Sequence, residues 1–188
     1  MRRSAAYLLA RWWSRPVGEE IDGWDGSWEE AREAAELLDR SPALVCELEA
    51  ASAASSRAAL LEEYERLLVG PGRVPCAPYE SLWRTDAPRR ERGVLMGAAA
   101  TEVARLYGEL GLQVKADAHE LPDQLAVEWE ALAYALDRER RDVAAALLDD
   151  HLAQWVPAFA AAVAAETEEP FYAALASLTA EWAAALAA

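Results

Sequence analysis

The feature that most constrains this chain is the spacing of its apolar residues. They recur three and four positions apart, and nowhere do they alternate with polar residues as a half-buried strand requires. Tyr7, Leu8 and Trp12, with Leu9 and Trp13 beside them, make one such stripe. Leu60, Leu61, Tyr64, Leu67 and Leu68 make another. Alanine, the strongest helix former, is the commonest residue, and Gly and Pro fall mainly between the Ala/Leu-rich stretches, where they interrupt helices. The expected fold is all-α, a single helical bundle-like domain over residues 1–188 with about eight or nine helices. At 188 residues the chain can bury a sizeable core without metal or disulfide staples.

The punctuation predicts where these helices begin and end. The first runs from Ser4 to Arg15 and stops at Pro16, and a loop follows over Gly18–Gly26. Ser27, with Glu30 three residues on, predicts a capping box at the second. Ser41-Pro42 opens a third that gives way to a small polar linker over Ala51–Ser56. A fourth spans Arg57–Val69 and is cut off by Gly70-Pro71-Gly72. A fifth spans Arg89–Leu110 with Leu95 and Met96 on its apolar side. A second loop, Leu112–Leu121, leads to a sixth with Pro122 at its first position. The remaining helices are expected over Arg140–Leu152, Trp155–Glu166 and Pro170–Leu186.

Charge and composition exclude several classes. The formal net charge is −15 and no basic stripe offsets it, so nucleic acid phosphates and anionic membranes are repelled. A cationic partner is attracted, although the same charge also keeps an Ala/Leu-rich protein in solution. Cys46, Cys76, His119 and His151 have no metal-ligand spacing, so neither a metal nor another cofactor is expected, and the unpaired cysteines fit a reducing, cytoplasmic setting. Arg2-Arg3 before Ala5-Ala6-Tyr7-Leu8-Leu9-Ala10 has the look of an export signal, but the apolar run is shorter than a signal core and reads as the first helix of the fold. No stretch approaches the roughly 20 apolar residues that span a membrane. No Ser or Cys nucleophile stands with an orienting base, and Gly70-Pro71-Gly72 lacks the Lys-Ser/Thr of a phosphate-binding loop. His151 reads as a capping or core group rather than a general base, and the chain is expected not to be an enzyme.

Two stretches stand out. The first joins Tyr64 and Leu68, at a helix end, to a proline-stiffened loop over Gly70–Asp86 that carries Pro78, Tyr79, Glu80, Ser81 and Trp83. Connections of that length in compact domains tend to be functional or disordered. Rigid aromatics give contact area at low entropy cost, which suits an apolar peptide, and the same rings also suit a loop packed back on the core. The second stretch is Glu120-Leu121-Pro122-Asp123-Gln124, continuing to Glu128. It gathers three carboxylates around one helix start, with Asp123 expected in the first turn, where the helix dipole favours an acid.

These segments together resemble the molybdoenzyme-specific chaperones of trimethylamine N-oxide reductase, dimethyl sulfoxide reductase and nitrate reductase. The resemblance is carried by Tyr64-x-x-Leu67-Leu68-x-Gly70-Pro71, Pro78-Tyr79-Glu80-Ser81-x-Trp83 and Glu91-Arg92-Gly93-x-Leu95-Met96-Gly97. It continues in Glu120-Leu121-Pro122-Asp123-Gln124-Leu125, His151-Leu152-x-x-Trp155-x-Pro157-x-Phe159 and Phe171-Tyr172-x-x-Leu175-x-x-Leu178-Thr179. It implies a cytoplasmic, non-catalytic helical protein. Such a protein binds the catalytic subunit of a molybdopterin oxidoreductase, often through its twin-arginine leader, and delays export until the cofactor is inserted. The residues it carries over are Tyr79, Ser81, Pro122, Asp123 and Gln124. The last departs from the family's usual His, keeping hydrogen-bonding capacity but no charge. With the aromatic surface holding the apolar part of a leader, Asp123 with Glu120 or Glu128 is expected to meet its guanidinium groups. Three alternatives stay open: a chaperone of the client's folded body without a leader, as in the nitrate reductase branch; a nucleotide-binding or hydrolytic helical protein; and, for the expected monomer, a swapped dimer.

Overall fold

A computed structural model describes residues 2–17, 24, 27–86, 92–115 and 120–188. The predicted loop at Gly18–Gly26 apart from Trp24, the start of the fifth helix at Arg89, Glu91 of the family stretch, and the 116–119 part of the second loop lie outside the described residues. Among the described residues the fold is all-α, with no strand. The elements are α1 (Arg2–Trp12), α2 (Trp28–Leu37), α3 (Ala43–Ala54), α4 (Arg57–Tyr64), α5 (Glu80–Trp83), α6 (Ala98–Glu109), α7 (Leu125–Asp137), α8 (Arg141–Ala145), α9 (Ala153–Glu166) and α10 (Pro170–Ala187). Two π-helical segments extend them: Glu65–Val69 continues α4, and Ala146–Leu152 joins α8 to α9.

The core is built on α10, α9 and α1. The two faces of α10 are nearly all apolar, so it is buried along most of its length, between α9 on one side and α3 on the other. α1 lies antiparallel along α7, with Arg3 paired to Asp137 at one end (2.6 Å). It buries Leu8, Leu9, Trp12 and Trp13. Trp12 stacks on Trp28 of α2 and leans on Trp182 of α10, and the Trp13 indole donates to the Thr179 hydroxyl (2.9 Å). The first and last helices therefore share one aromatic core, an arrangement worth more than its buried area alone.

Several boundaries differ from the sequence reading, each for a physical reason. Tyr7 is exposed: the true buried stripe of α1 is Ala5, Leu8, Leu9 and Trp12, and Tyr7 lies beyond its edge with Arg11 over its ring. Ser27 does precede α2, but its hydroxyl donates to the Trp24 carbonyl (2.6 Å) and makes no capping bond, so the capping box with Glu30 is absent. The linker expected over Ala51–Ser56 is helical as far as Ala54, as the alanine-rich sequence favours. The fifth helix is shorter than expected. Leu95 and Met96 are exposed in turns before α6, and Met96 has φ +60, outside any right-handed helix.

The helices expected over Arg140–Leu152 and Trp155–Glu166 form one continuous rod. The π-helical turn within it inserts an extra residue per turn and re-phases the apolar stripe, which makes one rod read as two. α7 begins later than Pro122 implies. Gln124 is its N-cap, with Oε1 accepting from the Val127 N–H (3.1 Å), so Asp123 lies before the first turn rather than in it.

Candidate peptide-binding site

The predicted aromatic loop and acidic helix start are bonded to each other. Tyr79 and Gln124 form an isolated antiparallel bridge. The Glu80 N–H donates to the Asp123 carbonyl (2.9 Å), and the Leu125 N–H donates to the Pro78 carbonyl (2.9 Å). Asp123 adds a side-chain clamp, its carboxylate accepting the Ser81 N–H (3.0 Å). The Tyr107 hydroxyl of α6 holds the Pro122 carbonyl from behind (2.7 Å). The fourth helix supplies the approach to this junction. Its π-helical end lets the Gly70 N–H reach the Glu65 carbonyl five residues back (2.7 Å). Gly70 then turns the chain at φ +105, a conformation that side chains beyond hydrogen rarely adopt.

The twelve residues singled out in sequence divide into three groups. Tyr64, Glu120 and Gln124 line an open groove of about 540 Å³ on the α1–α7 seam, although Tyr64 and Gln124 show it little more than an edge. Tyr79, Pro122 and Trp83 are half-buried around the junction, where the Trp83 indole donates to the Ala77 carbonyl (2.7 Å) and its ring meets Phe159 edge-on. Leu68, Pro78, Glu80, Ser81, Asp123 and Glu128 are buried. Asp123 and Glu128, expected to meet guanidinium groups, have no exposed surface at all: one clamps the loop and the other points into the core. The carboxylates open to the groove are Glu120 and Glu130. Glu120 is exposed, and the desolvation it does suffer holds its pKa above the ordinary carboxylate value. Burial also pushes the Tyr64 and Tyr79 hydroxyls upward, so both stay neutral donors.

Sequence reasoning missed the rest of the groove: Tyr7, Ala10, Arg11, Arg15, Val127 and Glu130. The signal was present in part. Gln124, Val127 and Glu130 are spaced by three along α7, and Tyr7 and Arg11 by four along α1, so each set lies on one face. A second hollow of about 470 Å³ shares Tyr7 and Glu130 and carries the groove on to Glu30, Tyr134 and Asp137. Two of the three arginines along the groove and this hollow are already ion-paired. Arg3 is paired with Asp137 and Arg15 with Glu65 (2.5 Å), and Arg11 lies over Tyr7. Among the described residues Glu30, Glu120 and Glu130 have no ion pair, so the seam presents aromatic and aliphatic surface with unspent negative charge.

A second cleft of about 400 Å³ on the other side of the junction is lined by Ser81, Arg84, His151, Asp150 and the start of α6. His151 Nδ1 donates to Glu80 Oε2 (2.9 Å) and Arg84 Nη1 to Glu80 Oε1 (2.6 Å), and Arg84 also pairs with Asp86. His151 is thus tied to a structural carboxylate, as its reading as a core group anticipated. Among the described residues no cluster of His, Cys, Asp and Glu could hold a metal ion, and no helix is long and apolar enough to cross a membrane.

The helical fold and the seam can be set beside known proteins. Residues 25–161 match the profile of the nitrate reductase delta subunit family, and the chain belongs to that family. It is 28% identical over 141 residues to the chaperone protein TorD of Shewanella piezotolerans, covering 74% of this chain and 66% of that one. It is 27% identical over 135 residues to the Tat proofreading chaperone DmsD of Salmonella typhi, covering 70% of this chain and 64% of that one. The chain thus spans just under two thirds of the length of these relatives. A solved structure from Archaeoglobus fulgidus, provisionally assigned as a redox enzyme maturation protein, superposes with a TM-score of 0.65 at 26% identity, over 95% of this chain and 91% of that one.

Proposed function

We propose that this protein is a cytoplasmic chaperone for the catalytic subunit of a molybdopterin-containing oxidoreductase, and that it binds the subunit's twin-arginine leader along the α1–α7 seam until the cofactor is inserted. The observation that carries the reading is the groove itself. It brings Tyr64 from one stretch of sequence and Glu120 and Gln124 from another to one surface, and adds Tyr7, Val127 and Glu130. A twin-arginine leader joins a basic segment to an apolar, helix-forming one. Glu120 and Glu130 suit the guanidinium groups, and Tyr7, Ala126 and Val127 suit the apolar part. In this reading Asp123, Glu80 and Ser81 are positioning residues that hold Tyr79 against Gln124, and Leu68, Pro78, Trp83, Pro122 and Glu128 support them from the core.

Titration calorimetry of the purified chain against a synthetic client leader tests the proposal. Saturable binding that weakens in Glu120→Gln with Glu130→Gln supports it, and unchanged binding in that folded double variant removes the seam as the site. The family match to a nitrate reductase subunit favours a second reading, in which the folded body of the client is recognised. Retention of a leaderless client with no detectable leader binding would select that reading instead.

A further inference from the structure

Behind the junction lies a group of ionisable side chains to which the peptide reading gives a positioning role but no protonation state. Glu80 of α5 and Glu128 of α7 are both fully buried, and of the charges that bear on Glu128 that of Glu80 is the largest. Glu80 receives two donors, Arg84 and His151. Glu128 receives one, the Trp155 indole of α9 on Oε2 (3.3 Å), while its Oε1 has no donor among the described residues. The surroundings offer little positive charge. Asp123 faces the pair from the turn before α7, and the neutral Tyr107 hydroxyl from α6 is committed to Pro122. Arg84 divides its charge between Glu80 and Asp86. Two carboxylates cannot approach each other in a dry site as bare acceptors, because each would lose its water and gain only repulsion. A hydrogen between them resolves both faults.

We propose that Glu128 keeps its proton in the folded protein and donates it to Glu80, and that this hydrogen bond fastens the Pro78–Trp83 stretch to α7, so that the seating of the loop between the two clefts is sensitive to pH. Desolvation and the neighbouring Glu80 both hold the Glu128 carboxyl well above its ordinary pKa, in keeping with the geometry. The sign follows from linkage. A carboxyl raised in the folded state contributes its full stability below the unfolded-state value of 4.5, and loses that contribution as pH rises through the folded-state value. Above it a second negative charge stands beside Glu80 and Asp123, and the loop is pushed from α7.

The test is a pH series of denaturant unfolding on the full chain and on Glu128→Gln, whose amide keeps the shape, accepts from Trp155 and donates to Glu80 without titrating. The folding equilibrium constant of the wild type, relative to Glu128→Gln, is expected to fall by up to about tenfold per pH unit above 4.5. Exchange of the Glu80 and Ser81 amide hydrogens should quicken over the same window in the wild type beyond intrinsic base catalysis, and not in the variant. A pH-independent ratio overturns the proposal. Should the variant fail to fold, the infrared spectrum decides: a neutral carboxylic acid carbonyl band at pH 6 that persists in Glu120→Gln supports the proton on Glu128, and its absence refutes it. These readouts are taken without a leader and report only the seating of the loop, so their failure is distinguishable from a failure of leader binding, which is read separately at a single pH.

Discussion

Asp123 shows how a residue can be recognised as important and still be assigned the wrong task. Its identity and position suggest an exposed acid at a helix start, yet the carboxylate has no exposed surface and accepts the Ser81 N–H across the junction. Removing it leaves a buried donor without a partner. Asp123→Ala is therefore expected to cost about 1–3 kcal/mol in a thermal or denaturant melt, and Asp123→Asn less, because its amide oxygen can still accept. Glu120 is the opposite case, exposed and without an ion pair among the described residues. Glu120→Gln should shift stability by less than about 0.5 kcal/mol. It should weaken a cationic leader by up to about fivefold, the range of an exposed charge pair. Comparison of the two variants by melting and calorimetry separates positioning from contact. Sequence could not make this separation, because burial of a carboxylate depends on what another segment brings to it.

At the scale of elements, helix ends were the least legible part of the fold. Pro170 at the first position of α10 and Gly70 after the fourth helix were read correctly, because Pro and Gly act through the local backbone alone. Pro122 misled because the start of α7 depends on a bridge to a distant segment, and Ser27 because its hydroxyl bonds the Trp24 carbonyl three residues back instead of capping α2. Gln124 caps α7 only because the bridge to Tyr79 holds it extended there. It also borders the groove, so it has two measurable duties. Gln124→Ala is expected to lose about 1 kcal/mol of stability together with leader affinity. Ser56, whose hydroxyl accepts the Ala59 N–H at the start of α4 (3.1 Å), serves as a control. Ser56→Ala should lose a similar stability in the melt and leave leader affinity unchanged. The rod formed by α8 and α9 was split in the sequence reading because a π-helical turn breaks the 3.6-residue period without ending the helix.

Over the whole molecule two properties dominate. One is the aromatic core that locks the first helix to the last through Trp12, Trp13, Trp28 and Trp182. Trp182 is fully buried in it, and Trp182→Ala should cost about 3–5 kcal/mol, measured as a fall in the denaturant midpoint at unchanged slope. The other is the net charge of −15, which acts at long range on any cationic partner. The association rate of a leader peptide, followed by stopped-flow tryptophan fluorescence, is expected to fall steeply with added salt. The dissociation rate should change much less.

What the amino-acid sequence determined by itself is what local physics governs: helix as the regular structure of the described residues, the approximate place of most helices, the acidic surface, and the two stretches that meet at the site. Periodicity, propensity and charge are properties of neighbours along the chain, and they survive without knowledge of the fold. Tertiary structure alone decided which of those residues are accessible. The docking of Pro78–Ser81 onto Pro122–Leu125 satisfies backbone donors, and in doing so it sinks Glu80, Asp123 and Glu128 beneath the surface. The antiparallel packing of α1 on α7 opens the seam where Tyr7, Glu120 and Glu130 stand free. Burial is a property of pairs of segments far apart in sequence, and it turned the expected acidic contacts into positioning groups and neighbouring residues into the groove.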